Sequence, residues 1–196
     1  MTTIDSPETY AGHPELTVAL EDGVLSLTLN RPDSLNSLTA AMLRTLAEAA
    51  GHIGMCGGQA IDIEATGQAL DEDALRSMHG MKTGALIRAS IRLGALAAGA
   101  GTSRLASLDA FASALGLAFQ IKDDLLDAEG DTASLGKTAG KDAAEGKSTY
   151  VGLLGLTGAR QRLADMESAM HASADSMDGD VSALRSLASM TVQRQH

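Results

Sequence analysis

The spacing of apolar positions changes character once along the chain. Between Leu16 and Leu29, two short runs rich in Leu, Val and Thr flank Glu21-Asp22-Gly23. Asp-Gly between such runs predicts a β-hairpin, because a tight strand-matched turn needs positive φ, which Gly supplies at no steric cost. Arg31-Pro32-Asp33 then ends the second strand, and Ser37 or Thr39 is placed to cap a helix. From Leu38 onward the apolar positions recur at helical spacing, with Leu38, Met42, Leu43 and Leu46 on one face. A glycine-rich helical stretch follows over 51–66, then helices over 71–79, 83–98 and 103–127. After a Gly- and Lys-rich loop over 130–148, helices are predicted over 150–174 and 181–194. No strand pattern follows residue 30, and there is no internal repeat. The pattern predicts a mainly α fold with a two-stranded appendage.

Composition narrows the function classes. A length of 196 residues suits one domain, or one plus a short appendage. With 15 Lys and Arg against 25 Asp and Glu, the net charge is −10. That argues against nonspecific binding to nucleic acid or to an anionic membrane, since both reward a basic surface. Aromatic residues make up 2% of the chain and Trp is absent, so base stacking is not expected either. Hydrophobic residues reach 44%, enough to build a core. No apolar run is long enough for a membrane span. The opening MTTIDSPETY lacks the basic and apolar regions of a signal peptide. The single Cys56 leaves no internal disulfide and fits a reducing compartment. A soluble, cytoplasmic protein is expected.

The chemistry concentrates in Gln120-Ile121-Lys122-Asp123-Asp124-Leu125-Leu126-Asp127. On a helix, positions 120, 123, 124 and 127 share one face. Like charges at that spacing repel, so the cluster fits either a solvated helix end or a face neutralised by a cation. Hard oxygen donors without His or Cys point to Mg2+, which keeps several waters and binds substrate phosphates as well. His13, His52, His79, His171 and His196 form no metal spacing with one another or with Cys56.

Beyond Asp127 the chain offers Lys137, Lys141 and Lys147 among Gly136, Gly140 and Gly146. A cationic loop beside a carboxylate–Mg2+ platform suits a diphosphate, although an ordinary solvated loop has the same composition. It is not a Walker loop, which would need Gly where Lys141 stands and a strand before it. Lys82-Thr83-Gly84 precedes a predicted helix, where a cation and a hydroxyl suit an anion or serve as a plain N-cap.

From about Leu43 to His196 the chain resembles the C-terminal half of a trans-prenyl diphosphate synthase, bacterial farnesyl diphosphate synthases in particular. The residues that carry the resemblance are GMCGGQAIDIEATG (54–67), MKTGALIRASIRLGAL (81–96), GLAFQIKDDLLDAEGDTASLGKTAGKDAAEGKSTY (116–150) and the closing QRQH. The resemblance implies an isoprenoid-synthase-type helical bundle. It makes Asp123, Asp124 and Asp127 the second Asp-rich motif, with Asp123 foremost as a direct Mg2+ ligand. It further implies that Lys82, Lys137 and Lys147 hold the allylic diphosphate, and that Thr83 and Gln120 flank the developing allylic cation. The family reaction ionises an allylic diphosphate, adds isopentenyl diphosphate and releases pyrophosphate.

Family members are roughly half as long again, and their first Asp-rich motif has no counterpart upstream of Asp123. Residues 16–43, LTVALEDGVLSLTLNRPDSLNSLTAAML, are instead similar to the start of the crotonase (enoyl-CoA hydratase) family. The expected organisation is therefore a crotonase-like segment over 1–37 and a truncated prenyl synthase bundle over 38–196. Such a chain is expected to give little or no product alone. The expected partners are allylic and isopentenyl diphosphate, together with a second copy of the chain or a complementary prenyl synthase chain. The alternatives are a non-catalytic partner subunit of an intact prenyl synthase, a CoA-thioester enzyme, or a rearrangement product without function.

Overall fold

The computed structural model describes residues 16–21, 24–29, 40–129 and 147–195. Strands β1 (Leu16–Glu21) and β2 (Val24–Leu29) pair antiparallel, with Leu16 opposite Leu29, Val18 opposite Leu27 and Leu20 opposite Leu25. This is the predicted hairpin. The Asp22-Gly23 turn, the turn at Arg31-Pro32-Asp33, and Ser37 and Thr39 lie outside the described residues.

Every other described element is helical. They are α1 (Ala40–Ala50), α2 (Met55–Glu64), α3 (Glu72–His79), a π turn (Gly80–Gly84), α4 (Ala85–Ala97), α5 (Thr102–Glu129), α6 (Tyr150–Asp175) and α7 (Ser182–Gln193). The predicted helix over 51–66 begins later than expected, because Gly51–Gly54 form a turn before α2.

Helix α5 is the axis of the bundle. Leu108, Phe111, Ala112, Leu115, Ala118, Ile121 and Leu125 are all buried along it. These positions occupy more than one stripe, as expected for a helix enclosed by neighbours rather than lying on a surface. Its longest partner is α6, which contributes Tyr150, Ala159, Leu163, Met170 and Ala174 to the same core. Leu75 and Met78 of α3 and Ala188 of α7 close it. Small residues at these contacts let the helix axes approach closely.

Local chemistry sets the helix ends. Asp71 caps α3 by accepting from the Ala74 N–H at 2.8 Å, and Glu72 and Asp73 fall at the dipole's positive end. Thr149 caps α6 through the Gly152 N–H at 3.0 Å. Gly155, at φ 68° and ψ 169°, kinks α6 after its first turn, a conformation that only glycine adopts at low cost. No described helix is long and apolar enough to cross a membrane.

Candidate functional site

The π turn is the first positioning device. Lys82 and Thr83 were expected at a helix start, and that expectation is overturned. The chain runs from α3 through the π turn into α4 without a break, and Gly84, the residue before α4, has helical angles and caps nothing. No free helix N-terminus exists there to attract an anion. A single π turn inserted in a helical run instead shifts the facing of the side chains it carries.

Two glycines seat this turn. A Cβ on Gly58 of α2 would lie 2.2 Å from the Lys82 nitrogen and 2.6 Å from its Cα. A Cβ on Gly116 of α5 would lie 2.8 Å from the Gly84 Cα. The backbone carrying Lys82 and Thr83 is thus wedged directly against α2 and α5.

One turn beyond Gly116 stands Gln120. The Thr83 hydroxyl donates to Gln120 Oε1 at 3.3 Å, so the two residues predicted to flank one substrate atom are neighbours. Lys82 Nζ donates to Asp62 Oδ2 at 2.7 Å, with the carboxylate side chain 13% exposed. Asp62 lies in the 54–67 stretch that carries the family resemblance, but the sequence gives it no role of its own.

The acidic motif follows Gln120 on α5, and its three carboxylates part company. Asp123 pairs with Arg194, the residue after α7, which also donates to the Phe119 carbonyl at 2.9 Å and stacks 4.1 Å above the Phe119 ring. Asp124 is 5% exposed, and its Oδ2 accepts the Tyr150 N–H at 2.7 Å. Asp127 is exposed. Among the described residues no three His, Cys, Asp or Glu side chains converge on a metal-sized site. A pair of accessible carboxylates fits Mg2+ nonetheless, since that ion takes one or two carboxylates and completes its shell with water and phosphate oxygens.

Lys147 is half-buried at the far side of the loop. The next residue, Ser148, ties this end of the loop down, accepting from the Leu70 N–H at 3.1 Å and donating to the Gln68 carbonyl at 2.8 Å. Lys137 and Lys141 lie outside the described residues. Behind the site, Tyr150 is fully buried and stacks on His79 with ring centroids 6.0 Å apart. Burial, helped by the nearby Glu72 carboxylate, pushes its phenol up to about 12.

The polyprenyl synthetase family profile matches residues 14–187. The chain belongs to the polyprenyl synthetase family. Farnesyl diphosphate synthase of Escherichia coli (strain K12) is 49% identical over 160 residues, covering 79% of this chain and 53% of the relative. Among solved structures, an FPP/GFPP synthase from Zymomonas mobilis is 34% identical with a TM-score of 0.66, covering 78% of this chain and 50% of its own. A geranyltransferase from Helicobacter pylori, solved with magnesium and isoprenyl diphosphate, is 28% identical with a TM-score of 0.66, covering 81% and 54%. This polyprenyl synthetase chain therefore spans about half the length of the relatives it matches. The family match takes in both hairpin strands as well as the helical bundle.

Proposed function

We propose that this chain carries the allylic-diphosphate half-site of a Mg2+-dependent prenyl synthase. Lys82, Lys137 and Lys147 neutralise the diphosphate, and Asp123 and Asp127 supply oxygens to Mg2+. Asp124, expected beside them as a ligand, is read as a strut, because its carboxylate is buried against the start of α6. Mg2+, when bound, draws charge off the departing diphosphate. Thr83 and Gln120 direct their oxygens at the carbon that becomes cationic as the C–O bond breaks. Isopentenyl diphosphate then adds at that carbon, a proton is lost, and pyrophosphate leaves.

The observation that carries this reading is the 3.3 Å bond between Thr83 and Gln120. It joins the lysine-bearing turn to α5 one turn ahead of the acidic motif, which supports reading the cation, the dipoles and the carboxylates as parts of one site. Ionisation is fastest when metal ions clamp the diphosphate from opposed sides, and the 196 residues contain no second DDxxD motif. Little turnover is therefore expected of this chain by itself.

The helical half-site over 38–196 is read as distinct from the segment over 1–37. What supports the boundary is the change from paired strands to helix. The crotonase-like origin of the first segment rests on its motif alone. Association, with a second copy or with a chain bearing the complementary motif, is supported by Ile53 and Ile63, which stand 58% and 64% exposed.

The test is geranyl diphosphate binding with and without Mg2+, followed by a prenyl-transfer assay read by mass spectrometry. Mg2+-dependent binding that is lost in both Lys82→Ala and Asp123→Asn, with little product, is the expected result. Binding indifferent to Mg2+ would remove the half-site reading. Abundant farnesyl diphosphate from these residues alone would overturn its restriction to half a site.

A further inference from the structure

Lys82 sits at the end of a short mechanical chain that begins on α2. Gly58 and Asp62 are four residues apart, hence on one face of that helix. Gly58 has no side chain to hold the π turn away, and the backbone of Lys82 packs directly on it. One turn along, Asp62 Oδ2 meets Lys82 Nζ at 2.7 Å. The same helix face therefore fixes both the root and the tip of the lysine side chain.

We propose that Asp62 is the positioning residue for Lys82, holding its ammonium ready for a diphosphate; this rests on the reading of Lys82 as a diphosphate ligand. A lysine on a four-carbon stem samples many rotamers, and freezing it at the moment of binding weakens the anion it captures. Here the rotamer is set beforehand. An ammonium has three donors, and Asp62 takes one, leaving two for phosphate oxygens. The carboxylate is the more buried partner, at 13% against 32% for the lysine, so the pair resists dissociation more than a surface pair does.

A carboxylate at this distance could instead hinder phosphate by repulsion, and the two roles differ in sign. The experiment is calorimetric titration of the whole chain with inorganic pyrophosphate in excess Mg2+. Wild type is compared with Asp62→Asn, Lys82→Ala and the double variant, with thermal unfolding as a check on folding. If Asp62 acts through Lys82, Asp62→Asn weakens binding about fivefold, and the double variant binds no more weakly than Lys82→Ala. Binding by Asp62→Asn as tight as wild type, or tighter, while Lys82→Ala is weakened, overturns the positioning role and leaves the half-site reading standing. No loss in Lys82→Ala overturns that reading itself.

A measurement on the unaltered protein covers the case in which Asp62→Asn does not fold. With 15N-lysine labelling, the Lys82 ammonium, assigned by its loss in Lys82→Ala, should give a slowly exchanging Nζ signal before any ligand is added. A rapidly exchanging ammonium, averaged like that of a solvated lysine, would overturn the proposal.

Discussion

Asp124 accepts the backbone N–H of Tyr150 at 2.7 Å, joining the acidic motif of α5 to the first residue of α6. The carboxylate is 5% exposed and faces the positive end of the α6 dipole. It also fixes the chain three residues beyond Lys147, where the lysine loop ends. The middle of an apparent metal motif thus serves as a helix cap.

Truncation separates this role from metal binding. Asp124→Ala leaves a buried amide without its acceptor and is expected to cost about 2–3 kcal/mol in urea unfolding. Asp124→Asn keeps an acceptor oxygen but loses the charge, and should cost about 1 kcal/mol. Asp123→Asn, at a half-exposed site, gives up at most the pair with Arg194 and should cost no more than about 0.5–1 kcal/mol, while reducing Mg2+ affinity on the proposed reading. Equal stability losses at positions 123 and 124 would contradict the assignment of Asp124 as the strut.

Arg194 pairs with Asp123, so on the proposed reading it competes with Mg2+ for that carboxylate. The pair is partly exposed, so its strength is modest, about 0.5–1 kcal/mol. Arg194→Ala should therefore tighten Mg2+ binding by about two- to fivefold, read by isothermal calorimetry. The gain should shrink in high salt, which screens the pair in the parent chain. Weaker Mg2+ binding in the variant would show that Arg194 assists the site rather than occupying it.

The two glycine contacts leave no room for a side chain. Gly58→Ala sets a methyl carbon 2.2 Å from the Lys82 nitrogen, and Gly116→Ala sets one 2.8 Å from the Gly84 Cα. Both obstacles are backbone, which cannot rotate away. Each substitution is expected to lower stability by about 1–3 kcal/mol, with Gly58→Ala the worse. Diphosphate binding should fall with them, because the turn that carries Lys82 and Thr83 is displaced. Thermal unfolding together with pyrophosphate titration checks both expectations.

Tyr150 makes stability fall at alkaline pH. Below its ordinary value of 10 the phenol is protonated in both folded and unfolded chains and contributes no pH dependence. Above 10 the unfolded chain ionises while the folded chain, with its phenol pushed up to about 12, holds the proton. Folding stability attributable to this residue is therefore lost between pH 10 and 12, by about 2–3 kcal/mol. Tyr150→Phe should lack this component, so the stability difference between it and the parent chain should change across that window. Parallel curves would contradict it.

Much of the fold was legible because secondary structure answers to period. The helices over 103–127 and 150–174 were written in the spacing of Leu, Ile, Ala and Met, and the hairpin in two β-rich runs around Asp-Gly. The π turn was not legible. The predicted helices over 71–79 and 83–98 left a gap between them, whereas the segment is helical throughout and packs on Gly58 and Gly116. Lys82, Thr83, Gln120 and the three aspartates could be named as candidates because their chemistry is local and their order along the chain is distinctive.

What the sequence by itself determined, then, is the succession of helices, the hairpin, and the set of cationic and acidic side chains that a diphosphate would require. Only the tertiary structure decided which of them face one another. Asp62 reaches Lys82 across 20 positions, Asp124 reaches Tyr150 across 26, and Arg194 reaches Asp123 across 71. Periodicity says which side of a helix is apolar, but not which distant polar group meets a carboxylate. That partner is set by how the helices pack, and for Lys82 the close contact of its turn with Gly58 goes with it.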